Sequence, residues 1–175
     1  MRKSEILLNS IVYSVYFLAA CLCGVGVDFL ALKVLDSIIV VSPFLACVLK
    51  AIIYFATTTA IVFILAFKEG YREAGFIFGE TLISLVFAVI IQFLLAFLFA
   101  FNQFFAGGVK FFSAIFVYGD RITSMAQISE IRYRVFMPVF LVIAIWLCAT
   151  VILAKKLGCN SRLLSRKELF KSSNS

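Results

Sequence analysis

Residues Lys68–Glu80 read KEGYREAGFIFGE and form the only charged interruption near the middle of an otherwise apolar sequence. The stretch holds two bases, three acids and three glycines, and a pair of long apolar segments lies on each side of it. Segments of about 20 apolar residues are long enough to cross a bilayer as helices. The stretch therefore divides the chain into two predicted helical hairpins.

The composition of the chain is that of an integral membrane protein. Of 175 residues, 64% are hydrophobic and 14% are charged, whereas soluble domains carry about 25% charged residues. The net charge of +7 comes from bases that cluster at the ends of apolar segments and in the C-terminal tail. This pattern predicts a bilayer with anionic headgroups as the partner, and no nucleic acid is expected.

Four apolar segments surround the charged stretch, two before it and two after it. They predict an all-α integral membrane protein built as a bundle of four transmembrane helices. The expected spans are at about 10–35, 44–67, 81–101 and 135–154. We expect residues 1–156 to form a four-span membrane domain and residues 157–175 to form a basic cytoplasmic tail.

The first two spans have distinctive starts. Two bases, an apolar run and Leu18–Cys21 together resemble a signal peptide with a lipoprotein cleavage site. Hydrophobicity continues past this segment, however, which favours a retained span. Pro43 marks the start of the second span, because proline at the first turn of a helix costs no hydrogen bond. The turn between the two spans is therefore expected at 36–42.

Residues 102–118 are rich in phenylalanine and contain Gly107 and Gly108. The apolar part of this segment is too short to span a bilayer. It is either an outer interfacial or re-entrant element, or an extension of the third helix beyond a break at the glycines. Residues 120–134 place isoleucine and methionine at near-helical spacing and predict a surface helix.

The distribution of bases indicates which ends face the cytoplasm. Four spans put the N-terminus, the central stretch and the tail on one side of the membrane. That side carries ten bases and the other side five, which predicts that both termini lie in the cytoplasm of a bacterial cell, beneath its plasma membrane. Six of the ten lie at the end of the last span and in the tail, and we expect them to contact lipid headgroups: Lys155, Lys156, Arg162, Arg166, Lys167 and Lys171.

Three polar residues are out of place within the apolar spans, namely Asp28, Lys50 and Gln92. An ionised side chain near the bilayer centre costs about 2.5–3.5 kcal/mol and usually faces a partner or a cavity. Asp28 and Lys50 stand at similar distances from the first turn, so we expect them to pair across the first hairpin. Lys50 is also long enough to extend to the outer interface instead. Gln92 is expected to form a hydrogen bond between helices or, alternatively, to contact a substrate.

Small residues recur every four positions along the first and third spans, including Ala20, Gly24, Ala88 and Ala96. Such ladders predict close helix–helix packing. Four of the five cysteines fall inside apolar runs, and only Cys159 is expected to contact water. Neither a disulfide framework nor a metal site is therefore expected.

The sequence lacks the groups that catalysis usually needs. It has no histidine, no glycine-framed serine nucleophile and no pair of carboxylates on one span. We therefore expect no enzyme activity and no cofactor. The pattern favours a non-catalytic membrane subunit or helper, acting through helix contacts with a membrane-protein partner or a second copy. The alternative is a small transporter or substrate-binding membrane subunit, with Asp28, Lys50 and Gln92 along its site.

Short segments of the chain also carry a resemblance. Gly70–Glu73 followed by Phe78–Glu80, together with Lys155–Gly158 and Ser165–Leu169 in the tail, resemble segments of uncharacterised four-span membrane proteins of Gram-positive bacteria. In that group the central loop reads closer to GYRD and the tail closer to LGYK, so this chain departs at Glu73 and after Gly158. The resemblance implies a four-span topology and no particular activity.

Overall fold

The computed structural model describes residues 3–72, 75–98, 107–124, 126–130 and 133–173. Within these ranges, the side chains at 3–4, 28–29, 32–41, 95–98, 107–109, 120, 129, 133–134, 136 and 166–173 lie outside the description. The helices are α1 (Lys3–Val41), α2 (Pro43–Arg72), α3 (Phe78–Leu98), α4 (Gly107–Tyr118), α5 (Ala126–Ser129) and α6 (Tyr133–Ser173). A 3-10 turn, Gly119–Arg121, follows α4. The described ranges contain no strand, which confirms the all-α class.

Three of these helices are long and apolar enough to cross a membrane. The candidate spans are Glu5–Val27 in α1, Pro43–Arg72 in α2 and Met137–Ser165 in α6. The described apolar part of α3, Phe78–Leu94, is shorter. The prediction of a helical membrane protein is confirmed in this coarser form, with three candidate spans where the sequence predicted four.

Helices continue through places where the sequence predicted loops or a separate tail. α1 extends to Val41, so Ser42 alone separates it from α2, in place of the turn expected over 36–42. α2 extends to Arg72 and includes the first residues of the central charged stretch. α6 runs on through the tail to Ser173. Once a helix has formed, each further residue adds one hydrogen bond, and strong helix formers such as leucine, lysine and arginine favour that extension.

Within the range 120–134, where the sequence predicts one surface helix, the described residues form the end of the 3-10 turn, the single turn α5 and the first residues of α6. Gly119 adopts a φ of +53°, a left-handed conformation that ends the preceding helix. The chain then turns back with the help of two side chains. The hydroxyl of Ser124 accepts a hydrogen bond from the amide of Ala126 at 3.1 Å, and Gln127 Oε1 accepts one from the amide of Thr123 at 3.2 Å. These local bonds favour a short turn over a long helix.

Contacts between α1 and α3 show that these helices run parallel. Ser84 donates a hydrogen bond to the carbonyl of Ile6 at 3.3 Å, and eight residues later Gln92 donates one to the carbonyl of Ser14 at 2.7 Å. Residue numbers increase in the same direction along both helices. The turn at Ser42 makes α2 antiparallel to α1. We call the end of the bundle with this turn the outer end, following the predicted orientation, and the opposite end the inner end.

α6 runs parallel to α2. The indole nitrogen of Trp146 donates to the Thr59 hydroxyl at 3.3 Å, and the Arg162 guanidinium donates to the carbonyl of Arg72 at 2.7 Å. The bundle therefore consists of two parallel pairs with opposite directions. α1 packs on α2 and α3, and α6 completes the bundle against α2 and α3.

The core of the bundle joins all four long helices. It contains fully buried aromatic, aliphatic and small side chains: Tyr13, Ala20, Val62, Ala66, Leu85, Ala88, Val151 and Ala154. At the inner end α2 and α6 approach backbone to backbone. A Cβ added at Gly70 would stand 2.7 Å from the Cα of Lys155, and one added at Gly158 would stand 2.8 Å from the amide nitrogen of Tyr71.

The described part of the phenylalanine-rich segment is α4, which packs beside the outer half of α2 and also contacts α6. The Cys47 thiol lies 3.5 Å from the carbonyl oxygen of Phe111, and the rings of Phe55 and Phe112 pack edge to face with centroids 5.7 Å apart. Residues 102–106 lie outside the described ranges. Whether the segment is interfacial or re-entrant stays a prediction.

Candidate functional site

A buried ionic cluster lies at the inner end of the bundle. The ammonium of Lys155 donates to Oε1 of Glu69 at 3.0 Å and to the hydroxyl of Tyr13 at 2.8 Å. The Tyr13 hydroxyl donates in turn to the same Oε1 at 3.0 Å. Lys155 is 3% exposed, Tyr13 is 0% exposed, and the Glu69 side chain is 17% exposed. A closed triangle of hydrogen bonds thus joins α1, α2 and α6.

Helical spacing explains why these side chains meet. On α2, Val62 and Ala66 are fully buried, and Glu69 follows on the same face. On α6, Val151 is fully buried, and Lys155 follows it one turn later. Each charged residue therefore occupies the next position of a buried apolar stripe, and helix packing carries it into the bundle.

The cluster depends strongly on each of its charges. Removing ions from water is costly, and the mutual attraction of Lys155 and Glu69 must offset that cost. Glu69 also lies in the last turn of α2, where the negative end of the helix dipole disfavours a carboxylate. Its Oε2 is buried and accepts no hydrogen bond from the residues that the structure describes. Loss of Lys155 would leave this carboxylate uncompensated.

The basic residues that the sequence predicts to contact lipid headgroups have different environments in the structure. Lys155 points into the cluster instead of toward lipid. Its neighbour Lys156 is exposed, and Arg162 binds the carbonyl of Arg72 at the end of α2. The side chains of Arg166, Lys167 and Lys171 lie outside the description. Cys159, expected to contact water, is 6% exposed, because α6 continues past residue 154 and packs against α2 there.

The structure does not place the three intramembrane polar residues at one site. Lys50 is buried, and its ammonium lies 5.4 Å from the centroid of the Phe111 ring, near the outer end. Gln92 donates from its amide nitrogen to both the carbonyl and the hydroxyl of Ser14, at 2.7 and 3.0 Å. The side chain of Asp28 lies outside the description, so its pairing with Lys50 stays a prediction.

Three of the four small residues predicted to mediate helix packing are described, and they are buried. Ala20 and Ala88 are 0% exposed in the core of the bundle. At Gly24, an added Cβ would stand 2.9 Å from the Tyr54 ring of α2. The side chain of Ala96 lies outside the description.

A partly open cavity of about 50 Å³ lies between the four long helices. Its walls combine apolar residues with polar ones from three helices: Phe17, Cys21, Tyr54, Thr58, Gln92 and Leu147 are among them. Phe17 follows Tyr13 by one helical turn on α1, so the cavity lies just outward of the ionic cluster. Along the bundle axis, the ionic cluster thus lies nearest the inner end, and the polar residues of the cavity lie next to it on the outward side.

A larger lateral groove opens between α2, α4 and α6, with a volume of about 830 Å³. Its lining includes Phe55 and Ala56 of α2, Phe112 and Phe116 of α4, and Val142 and Trp146 of α6. A shallower depression continues from it along α2 past Ala56 and Ala60. Both surfaces are apolar, and the polar tip of Trp146 is bonded to Thr59.

The described residues offer no evident metal centre. Among them, no group of three or more acidic or cysteine side chains could hold a metal ion, and the five cysteines are free. Comparison of the chain with protein-family models, with curated proteins and with solved structures finds no match.

Proposed function

We propose that the protein is a multi-pass membrane subunit or helper without catalytic activity, and that it binds a transmembrane helix of a membrane-protein partner along the lateral groove. The main support for this proposal is the difference in volume between the cavity inside the bundle and the lateral groove. Small-molecule sites usually measure about 300–1,000 Å³. The interior cavity, at about 50 Å³, is far below that range and leaves no room for such a substrate, whereas the groove, at about 830 Å³, lies on the side of the bundle between α2, α4 and α6. A transporter would need the interior for its substrate, so the groove favours the subunit.

The chemistry of the groove fits a helix. In a bilayer, helices associate through close packing at small residues rather than through the hydrophobic effect. Ala56 and Ala60 are one turn apart and exposed on α2, so they permit a close backbone approach. Phe55, Phe116 and Trp146 stand beside them as large apolar walls. Small residues flanked by aromatic ones favour a helix as the occupant over a mobile acyl chain.

The proposal includes four crossings with both termini in the cytoplasm. α3 has 21 residues, which correspond to about 31 Å of helix and match the thickness of a bilayer core. The two parallel pairs α1/α3 and α2/α6 have the alternating directions that four successive crossings require. The positive-inside rule then places the basic tail among the anionic headgroups of the cytoplasmic leaflet.

The test is recovery of the protein from its own membranes in polymer-bounded nanodiscs, without detergent. The wild type should be isolated with another polypeptide, or a second copy, at fixed stoichiometry. Ala56→Phe should abolish that association because the added ring occupies the groove. Ala149→Phe is the matched control, since Ala149 is exposed on α6 and lines neither the cavity nor the groove. Isolation of the wild type with lipid alone, or an Ala56→Phe variant that keeps its partner, would contradict the proposal.

A further inference from the structure

The partly open cavity between the four long helices is mostly apolar, but its wall includes the polar side chains of Gln92 and Thr58. We propose that it is a hydration site, in which one or more water molecules donate a hydrogen bond to Oε1 of Gln92. The proposal concerns the bundle interior and does not depend on what occupies the lateral groove.

The first argument is the fixed orientation of Gln92. Its amide nitrogen makes two hydrogen bonds to Ser14, one to the carbonyl and one to the hydroxyl. These bonds hold the amide group in place and leave the carbonyl oxygen as the remaining polar atom of the side chain. Among the described residues none donates to that oxygen, and Gln92 lines the cavity. Gln92 is half-buried, and an amide oxygen that is removed from bulk water costs free energy unless it accepts a hydrogen bond.

The second argument is the size and chemistry of the space. A water molecule needs roughly 10–15 Å³ of such volume and two to four polar partners. The cavity measures about 50 Å³, which exceeds this minimum, so at least one water molecule fits. The Thr58 hydroxyl donates to the carbonyls of Tyr54 and Phe55, at 2.9 and 3.0 Å, and its lone pairs can accept a hydrogen bond from water.

A native cysteine reports on this space. Cys21 lines the cavity, whereas Cys47 is fully buried against α4 and Cys23, two positions from Cys21, is exposed on the outside of α1. Methanethiosulfonates react with the thiolate, and a thiolate forms only where water can stabilise it. The reaction rate of Cys21 should therefore exceed that of a dry thiol and of a lipid-facing one.

The experiment uses three variants of the full chain in nanodiscs. Each keeps one cysteine (Cys21, Cys23 or Cys47) and carries alanine at the other four cysteine positions. Modification by methyl methanethiosulfonate is followed by mass spectrometry, and Cys21 is expected to react at least tenfold faster than Cys23 and Cys47. A Cys21 rate equal to that of Cys47 means a dry cavity and overturns the proposal. A rate equal to that of Cys23 means access through lipid and also overturns it.

Two further variants connect the rate to the cavity. Gln92→Leu removes the acceptor, and Ala144→Leu fills the same space from α6 while leaving the Gln92–Ser14 bonds intact. Each should lower the Cys21 rate severalfold, and the Ala144 variant retains this test if Gln92→Leu fails to fold. Unchanged Cys21 rates in the folded variants would show that the thiol is reached by another route, and the hydration site would be rejected.

Discussion

Gly158 of α6 lies against the carbonyl oxygen of Phe67 on α2, in the space that a side chain would need. Gly70 faces the backbone of Lys155 in the same way. Two helices can approach this closely where a glycine on one of them leaves room for the backbone of the other. The glycine contact thereby brings Lys155 within reach of Glu69.

Replacing Gly158 by alanine is expected to destabilise the protein by roughly 1–3 kcal/mol, because the added methyl meets backbone atoms that cannot rotate away. Gly26 of α1 is the matched control, since nothing lies within 4 Å of an added Cβ there. Gly26→Ala should be neutral or slightly stabilising, because alanine is the better helix former. Thermal unfolding of the detergent-solubilised protein measures both. Equal effects would mean that the backbone contact is not formed.

Lys155 and Lys156 are adjacent in sequence but differ in burial. Lys155→Met should cost about 3–5 kcal/mol, because Glu69 is then left as a buried charge without its partner. Lys156→Met should cost little, since that side chain is exposed. Adding Glu69→Gln to Lys155→Met should recover much of the loss. A double mutant whose loss equals the sum of the single losses would show that the two residues do not interact.

The contact between Lys50 and the Phe111 ring should help to hold α4 against α2. Phe111→Leu is expected to lose about 0.5–2 kcal/mol of cation–π attraction in the wild type. In a Lys50→Met background the same substitution should cost clearly less, and stability measurements on the four proteins give the coupling between Lys50 and Phe111.

The Lys50→Met protein, combined with Asp28→Asn, tests the pairing of Asp28 with Lys50 that the sequence predicts. There too the double mutant should lose less than the sum of the single variants.

Trp146 is the single tryptophan of the chain, so its fluorescence reports on the groove alone. It is 50% exposed and lies nine residues before Lys155, which corresponds to about 13 Å along the helix and places the ring deep in the bilayer. In vesicles of brominated lipids, quenching should be strongest when the bromines lie near the bilayer centre. A bound partner helix should reduce that quenching. Maximal quenching by bromines at headgroup depth would place the groove at the interface instead.

Labelling of single cysteines tests the threading. Ser165→Cys on the exposed inner part of α6 and Ser124→Cys in the outer loop, in a background without native cysteines, should react from opposite sides of the membrane. An impermeant thiol reagent added to intact cells should label Ser124→Cys and leave Ser165→Cys unmodified until the cells are opened. Labelling of both variants from outside would be incompatible with four crossings and cytoplasmic termini.

Much of the architecture could be predicted from the length and composition of the apolar segments. The helical class and the three candidate spans in α1, α2 and α6 follow from apolar segments long enough to match the thickness of a bilayer. The ends of the helices could not be predicted in this way. A charged residue at the end of a span normally extends to the interface, so the sequence predicts that Lys155 contacts lipid headgroups and that Glu69 lies in the central charged stretch outside the spans.

Burial of these two residues depends on tertiary structure. Helical spacing in the sequence indicates that Glu69 shares a helix face with Val62 and Ala66. The same spacing places Lys155 on one face with Val151. Helical spacing alone, however, does not show that Glu69 on α2 faces Lys155 on α6. That information comes from the close contact of α2 with α6, which joins the first hairpin to the second.

The ionic triangle also has a consequence for biosynthesis. Glu69 precedes Lys155 by 86 positions, so at ~5–20 residues per second the acid leaves the ribosome roughly 4–17 s before its base. During that interval the first hairpin is inserted with a carboxylate that must stay hydrated at the membrane edge. Only the arrival of α6 allows the carboxylate to be drawn inside. A chain that stops before Lys155 therefore carries Glu69 without the base that neutralises it in the complete bundle.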